Sequence, residues 1–227
     1  MTKGHLKRLN TPAHWPIKRK EQEFVARARP GPHSLRKAIT LNILLKDILK
    51  YAATTREVKK ILAHKEVMVD KKARKDHRFP IGFMDVIEIP RIKEAYVIDL
   101  DTRGRLIPKK VDIKEATKKT CRIMGKTLLK EKKTQLNLYD GKNILVEKDE
   151  YEVGDSIIFD LEKKRIVEHL KLEKKAPARI IEGKHKGEAT KVEEMKERKG
   201  VQPQRIICGT GKGKMETLKK YVFVVKG

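Results

Sequence analysis

Cysteine is nearly missing from this chain of 227 residues: Cys121 and Cys208 are the only two. They lie far apart with no second ligand pair near either, which excludes a disulfide framework and a zinc knuckle. Both read as ordinary strand residues in a reducing compartment. Aromatic residues are scarce at 5%, with one tryptophan, Trp15. No stretch approaches the ~20 apolar residues of a membrane span, and the opening "MTKGHLKRLN" has no apolar signal region, so the expectation is a cytoplasmic protein without a membrane partner. Seven histidines, at 5, 14, 33, 64, 77, 169 and 185, are scattered without an H-x-x-x-H pair; no metal site or other cofactor is expected.

The acids are also outnumbered. Lys and Arg total 56 against 31 Asp and Glu, a formal net charge of +25, and charged residues make up 38% of the chain, where an average globular protein carries ~25% without such a sign bias. An excess of this size repels itself within a compact body and is relieved by a partner that supplies phosphates. The partner expected from charge alone is nucleic acid. The length and the 38% hydrophobic content suit two or three small domains with small cores.

Residues 1 to about 37 hold ten Lys and Arg and only two acids, interrupted by Pro12, Pro16, Pro30, Gly31 and Pro32. Little apolar periodicity is left to make a core, so this stretch reads as a basic arm, not a domain. Within "HLKRLNTPAHWPIKRK", the bases Lys7, Arg8, Lys18, Arg19 and Lys20 are interleaved with His5, His14 and Trp15. The planar groups can stack on unpaired bases while the cations hold phosphate. Lys3, Arg27, Arg29, His33, Arg36 and Lys37 complete the arm's candidate contacts.

Two helices follow. The first, about Thr40 to Ala53, carries an apolar stripe of Leu41, Leu44, Leu45, Ile48 and Ala52. The second begins at Thr54, where Glu57 three residues on makes a capping box. It turns Val58, Ile61 and Leu62 to one face and Arg56, Lys59 and Lys60 to the other. Val67, Met68 and Val69 then alternate as a strand with two inward residues, and Asp70-Lys71-Lys72 reverses the chain. With the packing side filled, Arg56, Lys59, Lys60, Lys71, Lys72, Arg74, Lys75 and Arg78 are expected on one outward cationic surface.

From about Arg78 the pattern changes to short strands: "GFMDVIEI", "AYVIDL" and "RLIP", the last two separated by the hairpin-type loop 101–104. Asp112 with Glu115 suggests a helix over about Ile113 to Lys119. The strand-like segments "TCRIM", "TQLNLYDGKNILV", "DSIIFDL" and "RIVEHLKL" come next, with a tight turn at Asp140-Gly141, and "EKKAPA" at 173–178 reads as a linker. The last stretch is strand, Gly-rich basic loop, strand and two further strands, matching a five-stranded barrel of SH3-like size. Many short strands with regular turns imply small barrels or sandwiches.

No active site emerges. "CGTGKGKMET" lacks the G-x-x-x-x-G-K-[ST] spacing of a P-loop, and Glu147, Asp149 and Glu150 sit beside lysines as solvated charge.

Taken in order, "HLKRLNTPAHWPIKRK", "RPGPHSLRKAITL", "KYAATTREVKKIL", "VMVDKKARKDHRFPIGFMDVIEI", "DTRGRLI" and "KYVFVVKG" resemble the archaeal and eukaryotic small-subunit ribosomal proteins of the S-four-e type, along essentially the whole chain. The resemblance implies an α+β protein: a basic N-terminal arm (1–40), a helix-helix-strand S-four-like RNA-binding module (41–90), a β-rich central domain (91–173) and a C-terminal SH3-like barrel with a KOW-type loop (174–227). It implies a structural constituent of the small ribosomal subunit, bound to ribosomal RNA and neighbouring ribosomal proteins, cytoplasmic and with no homo-oligomer. In the KOW-like loop it adds Lys184, His185 and Lys186 as RNA contacts. Two departures stand out: Val69-Asp70-Lys71-Lys72 has no glycine at a turn where the family pattern places one, and Thr190 stands where the KOW pattern has glycine. A pseudouridine synthase also carries an S-four module, and "GRLI" at 104–107 is similar to its G-R-L-D loop. Ile107 replaces the nucleophilic aspartate, so no covalent attack can be drawn. The remaining alternative is a free RNA-binding or transcription accessory factor.

Overall fold

A computed structural model describes residues 4–129, 133–147, 149–196, 200, 202–211 and 213–226. The chain divides into two compact units, Met1–Asp99 with Arg105–Lys119, and Leu100–Gly104 with Thr120–Gly227.

In the first unit the N-terminal stretch is folded. Strand β1 (Leu6–Lys7) pairs antiparallel with β2 (Phe24–Val25). After β3 (Ala38–Thr40) the chain enters α1 (Leu41–Ile43), started by the Thr40 hydroxyl, which accepts the Ile43 N–H at 3.3 Å. Over Leu44–Ile48 the helix widens to π-type bonding, with the Leu49 N–H reaching the Leu44 carbonyl at 2.8 Å. The expected helix to Ala53 stops early because Lys50 takes a left-handed φ of 58°, which breaks the helical ladder. The apolar stripe still does its work: Leu41, Leu44 and Leu45 are buried together with Ile43 and Ala52.

Helix α2 (Thr55–Ala63) has the expected capping box, the Thr54 hydroxyl accepting the Glu57 N–H and the Glu57 carboxylate reaching back to the Ala53 N–H at 2.8 Å. Val58 and Leu62 are buried on its inner face. Strands β4 (Met68–Val69) and β5 (Lys72–Ala73) form a two-residue hairpin. Strand β6 (Pro80–Gly82) pairs with β3, whereas β7 (Val86–Ile89), β8 (Glu94–Leu100) and β9 (Leu106–Val111) extend the hairpin into a sheet of order β5-β4-β7-β8-β9. The loop between β8 and β9 closes at Gly104, whose N–H meets the Asp101 carbonyl at 2.7 Å. The expected helix over 113–119 is a single turn, Glu115–Thr117. Strand β10 (Lys118–Leu128) takes over because its alternating Lys119, Cys121 and Ile123 are buried.

The second unit is made of two five-stranded sheets. In one, β11 (Thr134–Leu138), β12 (Asn143–Val146), β13 (Ser156–Asp160) and β14 (Arg165–Leu170) join β10 in the order β12-β11-β10-β13-β14, around Cys121, Ile123, Leu136, Leu138 and Ile157. In the other, β15 (Pro177–Ile180), β16 (Ala189–Met195), β17 (Arg205–Thr210), β18 (Gly213–Leu218) and β19 (Val222–Val224) are ordered β18-β17-β16-β15-β19. Ala178, Val192, Ile206, Cys208, Val222 and Val224 form its core. The stretch expected as a linker at 173–178 therefore ends inside a sheet: Pro177 begins β15 and Ala178 is buried. Gly187 lies where the loop between β15 and β16 meets the 101–104 turn. It has φ 92°, and a Cβ there would overlap the Asp101 carbonyl oxygen, so only glycine allows that approach.

Candidate nucleic-acid interface

Helix α2 presents the clearest cationic face. Its buried stripe leaves Arg56, Lys59 and Lys60 exposed, and across the hairpin Lys72 and Lys75 are exposed as well. The other three expected members are drawn inward. Lys71 is half-buried with its ammonium 2.9 Å from Glu88. Arg74 is half-buried with its guanidinium 4.3 Å over the Phe79 ring, and Arg78 is half-buried. The expected surface is thus narrower than eight residues, because a guanidinium stem covers apolar surface when a ring is within reach.

The hairpin explains its missing glycine. Asp70 and Lys71 have φ of 49° and 60°, the mirror-image turn that suits a two-residue hairpin and usually takes glycine. Here both side chains are in use. Asp70 accepts the Lys119 ammonium at 2.6 Å and the Val86 N–H at 3.2 Å, and Lys71 holds Glu88. Lys119 also donates to Asp85 at 2.6 Å, and Asp85 is 3.1 Å from the His33 ring and accepts the Gly82 N–H at 2.8 Å. Burial alone would raise the Asp85 carboxyl, but the neighbouring Lys119 and His33 hold it well below the ordinary carboxylate range.

The arm is where sequence reasoning needs most correction. Arg8, His14, Trp15 and His33 lie inside the first unit, not on its surface. Arg8 is 1% exposed and joins the Lys18 carbonyl at 2.5 Å to the Asp47 carboxylate at 2.7 Å. The Trp15 indole donates to the Ala38 carbonyl at 2.6 Å, and His14 Nε2 lies 3.1 Å from the same oxygen. The physical reason is area: the chain's one indole gains more by burial against Ala38 than a basic tail gains by holding it in water. An arm that anchors these side chains is part of the unit's core and not a loose tail.

Most of the remaining arm bases are exposed. Lys7, Lys18, Arg19, Lys20 and Arg36 are exposed, although Lys18 sits 3.1 Å from Glu21 and Arg19 reaches the Leu9 carbonyl at 3.3 Å. Arg29 is exposed and paired with Asp76 at 3.0 Å, Arg27 and Lys37 are half-buried, and His5 is exposed with its ring edge-on to Phe24. Lys3 lies outside the described residues. In the second unit Lys184 is exposed and His185 and Lys186 are half-buried, His185 lying 3.4 Å from Glu188. Thr190 is buried with its hydroxyl donating to the Ala178 carbonyl at 3.3 Å, which ties β16 to β15.

Sequence reasoning missed three residues beside these bases. Phe24, Asn42 and His77 line one cleft with Arg27 and Arg78, yet no motif spacing links positions so far apart in the chain. Among the described residues no group of three or more His, Cys, Asp or Glu could hold a metal ion, and no helix is long and apolar enough to cross a membrane.

These features define a class: a strongly basic mixed protein with few helices and many strands, with exposed cations on a capped helix and on the hairpin that follows it. Residues 92–166 match the model of ribosomal family S4e, and residues 2–36 match the RS4NT (NUC023) domain. The small ribosomal subunit protein eS4 of Methanothermobacter thermautotrophicus is 40% identical over 225 residues, covering 99% of this chain and 93% of the relative. That of Methanosphaera stadtmanae is 41% identical over 224 residues, covering 99% and 92%. The crystal structure of the 30S ribosomal protein S4e from Thermoplasma acidophilum superposes with a TM-score of 0.72 at 27% identity, over 84% of this chain and 96% of that one. The chain belongs to the S4e family of small-subunit ribosomal proteins.

Proposed function

We propose that the chain is a structural constituent of the small ribosomal subunit that binds ribosomal RNA and neighbouring ribosomal proteins in the cytoplasm, and that it catalyses no reaction. The observation that carries this reading is the cationic face of Arg56, Lys59 and Lys60, exposed opposite the buried Val58 and Leu62, with Lys72 and Lys75 exposed at the following hairpin. Five exposed bases suit phosphate neutralisation on a folded RNA. The arm bases Lys7, Lys18, Arg19, Lys20, Arg27, Arg29, Arg36 and Lys37 would extend that contact. Residues 1–40 act as the arm, 41–90 as an S-four-like module, 91–173 as a β-rich middle and 174–227 as an SH3-like barrel. Its loop at Lys184, His185 and Lys186 is of KOW type. The five-stranded sheet β18-β17-β16-β15-β19 and the positive φ of Gly183 and Gly187 support that last assignment.

Sucrose-gradient fractionation of cell extracts tests the reading. The chain is expected to co-sediment with the small subunit and to leave it only in high salt; recovery mainly in the unbound fractions would assign it to a free accessory factor instead. For the face itself, the triple variant Lys59→Ala, Lys60→Ala, Lys72→Ala should weaken RNA binding with an unchanged circular dichroism spectrum. Its salt dependence should be shallower by about 2 to 3 in log K against log salt, at ~0.7–0.9 per lost phosphate contact.

A further inference from the structure

The first unit holds a cleft of about 260 Å³ that phosphate neutralisation does not account for. Asn42 lines it, 4% exposed, with its backbone N–H bonded to the His77 carbonyl at 2.9 Å and its carboxamide oxygen without a hydrogen-bond partner. Buried polar atoms are nearly always paired, and this oxygen, closed to solvent in the free chain, is an unmet acceptor that a turn of the carboxamide would present to the cleft. On the same wall Phe24 is 48% exposed although it sits in a strand, and His5 packs edge-on against it at 5.5 Å and 87°. A perpendicular contact covers at most one face of the Phe24 ring, and at 48% exposure the ring keeps area for a flat group. The volume falls just under the ~300 Å³ lower bound of sites for whole small molecules, a size for one ring system. Arg27 and Arg78 line this cleft and also the adjoining one of about 520 Å³, which adds Arg29. A chain of phosphates crossing from one cleft to the other passes both residues. Burial and the nearby Lys59 hold His77 below its ordinary pKa, so it is a neutral ring at pH 7, able to donate and accept.

We propose that this cleft takes one unstacked nucleobase of the bound RNA, its ring against Phe24, a base N–H donating to the Asn42 carboxamide oxygen, and the flanking phosphates at Arg27 and Arg78. The proposal rests on the RNA-binding reading above and deepens it by naming a single-nucleotide site. Single-stranded RNA is recognised in this manner, by splaying a base onto an aromatic ring and hydrogen-bonding its edge.

The test uses the full chain and small-subunit ribosomal RNA. Phe24→Ala, at a half-exposed ring, is expected to lower affinity about 5- to 100-fold while leaving the salt slope unchanged, because stacking releases no counterions. Ultraviolet irradiation of the wild-type complex should attach one nucleotide to a peptide containing Phe24 or His5, and Asn42→Ala should abolish that adduct. Should Asn42→Ala fail to fold, Phe24→Ala alone decides. Wild-type affinity in Phe24→Ala overturns the nucleobase site and leaves the phosphate contacts standing, whereas wild-type protein that binds no RNA overturns the underlying reading. Loss of the adduct on adding adenosine monophosphate at micromolar concentration would assign the cleft to a free nucleotide and overturn the RNA assignment.

Discussion

Lys119 is 2% exposed and bridges two carboxylates, Asp70 and Asp85, at 2.6 Å each. Removing one partner of such a cluster leaves a buried charge unpaired, at a cost of ~3–5 kcal/mol. Lys119→Ala should therefore shift the urea unfolding midpoint of the first unit strongly downward. The Asp85 carboxyl is held low in the folded chain, so its contribution is present above the unfolded carboxylate value of ~3.9 and is lost as the pH falls below it. The difference in urea midpoint between wild type and Asp85→Asn should stay level from pH 6 to about pH 4 and then shrink towards pH 2. A similar balance governs Lys71. Replacing it with glycine relieves a left-handed backbone worth ~1–2 kcal/mol, but orphans Glu88, which is 8% exposed. Lys71→Gly is expected to be net destabilising in the same assay. Trp15, 2% exposed, should emit as a buried indole, resist iodide quenching, and red-shift only on unfolding; quenching by RNA without unfolding would contradict its place in the core.

At the scale of elements, short-range signals were legible. Helix α2 has the start, the inward residues and the cap that Thr54, Glu57, Val58 and Leu62 imply, because a capping box and a 3.6-residue stripe depend on neighbours within two turns. Thr54→Ala should lower stability by about 1 kcal/mol, read as a shift in thermal midpoint without loss of helical signal from the rest of the chain. The helices over 40–53 and 113–119 were less legible. One ends where Lys50 turns left-handed, and the other gives way to β10, whose Lys119 is taken by carboxylates 34 and 49 positions away. The candidate interface follows the same rule. Bases on α2 are outward as the helix face requires, whereas Arg8, His14, Trp15 and His33 were assigned outward from composition and lie inside.

For the whole molecule, a net charge of +25 on 227 residues makes salt act in opposite directions on folding and on binding. Added salt screens the self-repulsion of the free chain but competes with it for phosphates. The thermal midpoint of the free protein is expected to rise between low and moderate potassium chloride, while RNA affinity falls over the same range. Scanning calorimetry and filter binding on one preparation check both signs. Bound RNA should raise the midpoint further, by mass action on the folded state.

Composition and order of residues alone determined that this is a polyanion-seeking chain of short strands with one capped, basic-faced helix, since charge and local periodicity are carried by the sequence itself. Tertiary structure decided which cations remain outside. Whether Arg8 meets water or Asp47, whether Lys119 meets water or two carboxylates, and whether Asn42, Phe24 and His77 share a cleft depend on contacts between positions tens of residues apart. Those contacts form only once the cores have closed and fixed the distances between them.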